Sequence, residues 1–103
     1  MEREDLINEI AKEISKKYPV SFIYLYNTKV NVTGEKIKQF DIAVIIEDGN
    51  SKETEKDIYL NILSEIPFVC LCYTKEEWEN LLKDEYSFAS RITKKGQLIY
   101  GQI

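Results

Sequence analysis

Apolar positions recur along this chain with two different periods, and the switches between them mark its elements. In residues 2–17, EREDLINEIAKEISKK, the residues Leu6, Ile7, Ile10, Ala11 and Ile14 fall at helical spacing. Acids open this stretch and lysines close it, the order a helix dipole favours, and Pro19 ends it. VSFIYLY (20–26) is β-branched and aromatic, which predicts a strand. NTKVNVTGEK (27–36) is polar around Gly34 and reads as a loop. A second strand follows over 37–47, turned by EDGN (47–50). Asn50 with Glu53 resembles a capping box and opens a helix over 51–64, with Ile58, Ile62 and Leu63 as its apolar stripe. After Pro67, FVCLCY (68–73) is a third strand. Thr74 with Glu77 caps a helix that carries Trp78, Leu81 and Leu82. EYSFASRITKKG continues as helix, with Phe88, Ala89 and Ile92 inward, until Gly96 stops it; QLIY (97–100) is a short last strand. The order α-β-β-α-β-α-α-(β) predicts an α/β (α+β) fold, a small mixed sheet flanked by helices. The unbroken run Ile42 to Ile46 suits burial on both faces, which places the 37–47 strand between the other two.

Composition narrows the chemistry. The 103 residues suit one domain. A net charge of −4 works against non-specific binding to nucleic acid, whose phosphates repel an acidic surface. The chain has no histidine, which removes the commonest general base and the Ser-His and Cys-His dyads. Cys70 and Cys72 form a C-x-C on one strand face, matching neither a redox C-x-x-C nor a zinc pattern. They read as buried, reduced thiols, which fits a cytoplasmic protein. The charged start of the chain lacks an apolar signal core, and no run approaches the ~18 apolar residues of a membrane span.

The stretch FDIAVIIEDG (40–49) holds the most pointed chemical question. Strand side chains alternate, so Asp41 shares a face with position 43, which is Ala43 rather than a second carboxylate. Asp41 reads either as a surviving ligand or as a polar strand residue bonded to the 27–36 segment. Glu47 and Asp48 abut Gly49 and Asn50 and read as a solvated turn rather than a metal pair. Thr28 could donate to a phosphate or bond its own backbone. Gly34 suits a tight turn, and Lys94 and Lys95 suit a helix C-terminus, better than either suits phosphate binding. Tyr24 and Tyr26 share a face with Phe22, and Trp78 reads as a core anchor.

The element order and several local strings resemble the minimal nucleotidyltransferases of the polymerase-beta-like superfamily over most of the chain. IYLYNTK stands where that family has a strand ending in Gly-Ser, with Asn27 and Thr28 in the Gly and Ser positions. FDIAVII looks like its Asp-x-Asp strand, FVCLCYTKEEWENLL like its third strand and following helix, and SRITKKGQLIYG like its closing helix and strand. The resemblance implies nucleotide binding at Asn27, Thr28 and Asp41, with Asp41 as a metal ligand. It also implies that Ala43 and Val69 replace the other two metal-binding acids. Nucleotidyl transfer needs Mg²⁺ held against triphosphate oxygens, which a lone acid does poorly. The resemblance therefore implies a degenerate, non-catalytic domain that binds a protein partner, a second copy or, weakly, a nucleotide. The family includes toxin–antitoxin pairs, so an antitoxin-like or regulatory role is one form of that reading. The alternatives are an active Mg²⁺-dependent nucleotidyltransferase, drawing its missing acids from Glu35, Glu47 or Asp48, and an unrelated small α/β binding domain.

Overall fold

A computed structural model describes residues 3–101. Its elements are α1 (Arg3–Lys17), β1 (Val20–Val30), β2 (Ile37–Ile46), α2 (Ser51–Asn61), β3 (Phe68–Thr74), α3 (Lys75–Leu82), α4 (Phe88–Lys95) and β4 (Gln97–Gly101). Glu2, expected to open the first helix, lies outside the described residues. The strands form one mixed sheet in the order β3-β2-β1-β4. β1 runs antiparallel to β2 and β4, and β2 runs parallel to β3, the α2 crossover joining the parallel pair.

The period-two pattern of β2 sorts its side chains into two cores. Phe40, Ile42, Val44 and Ile46 enter a first core with α1 (Ile7, Ile10, Ala11, Ile14) and with Ile58 of α2. Ala43 and Ile45 face the other way, against Trp78 of α3 and Ala89 and Ile92 of α4. A strand with apolar residues on both faces must be covered on both, which is why β2 is central, as its sequence predicts. Phe22 and Tyr24 lie in the second core with Tyr26 packed against it, so the three aromatics share one face.

Three expected boundaries move. β1 continues through Val30, and only residues 31–36 turn, so 27–30 belongs to a two-stranded hairpin arm rather than a loop. Thr28 and Val30 are good strand formers, but this half of the strand is exposed and carries no apolar face to betray it. The second helix stops at Asn61; Ile62 is already extended, and Leu63, expected in the stripe, is 84% exposed. Both helices of the expected order are present, but EYSFASRITKKG is helical only from Phe88, and α3 stops at Leu82. Asp84 breaks it: its carboxylate accepts from the Tyr86 N–H, and its carbonyl accepts from the Ser87 N–H and the Ser90 hydroxyl. Ser87 then caps α4.

The outer edge of β3 is covered by side chains from α2. The Tyr59 hydroxyl accepts from the Cys70 N–H at 2.6 Å and donates to the Cys70 carbonyl at 3.1 Å. Glu55 accepts from the Cys72 N–H at 2.9 Å. Edge-strand groups that would otherwise template another strand are thereby satisfied within the chain. Cys70 and Cys72 are unbridged and buried. Burial pushes both thiols up, Cys72 to about 12, and the Glu55 carboxylate adds to the effect.

Candidate functional site

Asp41 lies on the α3–α4 face of the sheet, beyond the part those helices cover. A β-bulge determines what stands beside it. Leu25 pairs with Ile42 and Asn27 with Asp41, which leaves Tyr26 as an extra residue in β1. Tyr26 stays with the second core, edge-to-face on Phe88 at 5.3 Å. The extra residue reverses the parity of the strand and turns Asn27 onto the Asp41 face. Without it Tyr26 would oppose Asp41.

The Asp41 carboxylate is held at both oxygens. Asn27 Nδ2 donates to Oδ2 at 3.1 Å and Gln39 Nε2 donates to Oδ1 at 2.8 Å. On its other side the parallel register sets Val69 against Asp41 and Leu71 against Ala43. Burial pushes the nearby Tyr26 hydroxyl up to about 12, and the Asp41 charge pushes in the same direction. Thr28 pairs with Phe40 and points to the opposite face. Of the three residues proposed to meet a nucleotide, the fold brings Asn27 and Asp41 together and sends Thr28 away. Positions 27 and 28 also lie within β1, paired with Asp41 and Phe40, rather than in a turn whose backbone amides could face a phosphate.

The donors around Asp41 do not fit Mg²⁺, which takes one or two carboxylates in octahedral oxygen geometry. Asp41 is a single carboxylate here, and Ala43 and Val69 supply no further side-chain oxygen. Glu35 sits in the turn of the arm, where Asn31 Oδ1 accepts its N–H. Glu47 and Asp48 lie past the far end of β2, ~20 Å along the strand from Asp41 at the usual rise per residue. Glu47 there accepts from the Ser21 hydroxyl and pairs with Lys75 at 3.8 Å. Among the described residues no group of three or more His, Cys, Asp or Glu side chains is placed to hold a metal ion. Gly34 occupies a turn with φ of 75°, and Lys94 and Lys95 close the last turn of α4.

At the opposite end of the same face the structure holds a feature the sequence reading missed. A cleft of about 520 Å³ is lined by Ser21, Phe22, Tyr24, Lys75, Trp78, Glu79, Leu82 and Thr93. It opens where α3 and α4, of eight residues each, meet Ser21, Phe22 and Tyr24 of β1. The one available signal was the run Lys75, Glu79, Leu82, spaced so that mixed polar and apolar side chains share the α3 face that carries Trp78. The N-terminus of α3 itself is closed by a capping box between Thr74 and Glu77. The Thr74 N–H, first, and the Ser51 hydroxyl, second, hold the Glu77 carboxyl below the usual range.

No family model, curated protein or solved structure matches this chain.

Proposed function

We propose that this chain is a nucleotidyltransferase-like domain that has no catalytic role and acts by binding a protein partner in the cytoplasm. The observation that carries the reading is the Asp41 carboxylate, closed between the Asn27 and Gln39 amides with Ala43 and Val69 beside it. A metal-dependent transferase needs several acids converging on one point; this acid stands alone on its face of the sheet. Support for a protein partner comes from the hairpin arm. It carries Lys29, Lys36 and Lys38 on an otherwise acidic chain, and it leaves Val30 45% and Val32 101% exposed. A basic arm with exposed valines suits an acidic, partly apolar protein surface. The two unbridged thiols fit a reducing compartment.

Incubation with labelled nucleoside triphosphates and Mg²⁺ or Mn²⁺, followed by mass analysis, tests the reading. The expected result is no nucleotidyl adduct on the chain or on a co-purifying partner. Robust transfer that disappears in Asp41→Asn would overturn it. Charge reversal of Lys29, Lys36 and Lys38 together is expected to release a purified partner from the arm.

A further inference from the structure

The α3–α4 cleft has the size and lining of a ligand site, and its charge pattern selects one class of ligand. Its volume falls within the ~300–1,000 Å³ typical of small-molecule pockets. Phe22, 8% exposed, is the most open of its aromatic rings; Tyr24 at 2% and Trp78 at 1% back it. Leu82, 37% exposed, forms an apolar wall.

Three charged groups bear on the mouth. Lys75 and Glu79 are spaced i, i+4 on α3, in the lysine-first order that pairs less well. Lys75 turns instead to Glu47, whose other oxygen accepts from Ser21. Glu47, Lys75 and Glu79 together leave one net negative charge at the mouth, and the Ser21 hydroxyl is engaged. Glu79 has no ion-pair partner among the described residues. The α3 amides are closed by their cap, so they offer nothing to an anion. What remains is an unpaired carboxylate beside aromatic and aliphatic surface, on a chain of net charge −4. That combination attracts an organic ammonium ion through its charge, with an apolar body to cover Leu82 and the edge of Phe22.

We propose that this cleft binds a small arylalkyl ammonium ion, with its ammonium group on Glu79 and its ring against Phe22 and Leu82. The site is separate from Asp41 and does not depend on the binding role proposed above. Trp78, the one tryptophan of the chain, lines the cleft and reports occupancy by fluorescence. Titration of the intact chain compares phenethylamine with 2-phenylethanol and 3-phenylpropionate at constant ionic strength. Phenethylamine should give a saturable change and bind tighter than either control. Glu79→Gln should weaken it about three- to fivefold, the scale of a part-exposed ion pair. Glu76→Gln, a charge change outside the cleft, should leave the constant unchanged, with circular dichroism confirming the fold of both variants. Equal binding of 3-phenylpropionate, no saturation with phenethylamine, or equal effects of Glu79→Gln and Glu76→Gln would each overturn the proposal.

Discussion

Asp41 shows how a residue can be conspicuous in a sequence while its role stays hidden. Its carboxylate serves as the acceptor that pairs two side-chain amides on an open stretch of sheet. Asp41→Ala leaves both amides without their acceptor and should lower stability by about 1–2 kcal/mol in a urea titration, at the cost of unmade hydrogen bonds. The acid, the alanine at 43 and the valine at 69 could all be placed from the strand pattern. The bond from the 27–36 segment was expected too, and Asn27 supplies it, but the bulge between Leu25 and Asn27 that puts the two side chains on one face leaves no periodic trace. Burial also makes the chain sensitive to alkali. Tyr18, whose hydroxyl donates to Asp57, and Tyr26 are both raised to about 12, as is Cys72. The folded state therefore holds these protons more tightly than the unfolded chain. Their contribution is intact below the ordinary values of 9–10 and is lost as pH rises towards 12. Denaturation monitored at pH 8, 10 and 11.5 should show stability falling across the upper interval.

At the level of elements, the apolar repeats located every helix and strand, while boundaries failed wherever polar chemistry rather than burial determined them. The break between α3 and α4 is the clearest case. Two helices were expected here and two are present, but the second begins at Phe88 rather than at Glu85. Asp84 and Ser87 interrupt the helix by bonding nearby backbone, a competition that depends on local geometry. Ser87→Ala removes the acceptor for the Ser90 N–H at the first turn of α4 and should cost about 1 kcal/mol, read as a lower thermal midpoint. Leu63 failed for a related reason. The helical count placed it on the α2 stripe, but the chain leaves the helix at Asn61 to reach β3, and the leucine turns outward.

For the whole molecule, the sheet is best understood from its edges and its two covered faces. The β3 edge depends on Tyr59, whose hydroxyl bonds both backbone groups of Cys70. Tyr59→Phe keeps the ring stacked on Phe68 but frees those groups. It should cost about 1–2 kcal/mol and speed amide exchange at Cys70 relative to the β2 core, which hydrogen-exchange mass spectrometry would resolve. The overall architecture was legible because two-sided burial of β2 allows few arrangements. The cleft was not, because it reflects how two short helices meet β1 rather than the identity of any residue. The bulge at Tyr26 has a separate consequence for the redesign of this chain. A single extra residue acts as a phase shift, so the core half of β1 and its arm half follow independent alternations. On the β1 side of the arm residues 27–30 are exposed, whereas on the β2 side Ile37 and Phe40 still pack on the first core. Redesign of what the arm presents therefore belongs on its β1 side and in the 31–36 turn, where side chains can change without touching the core.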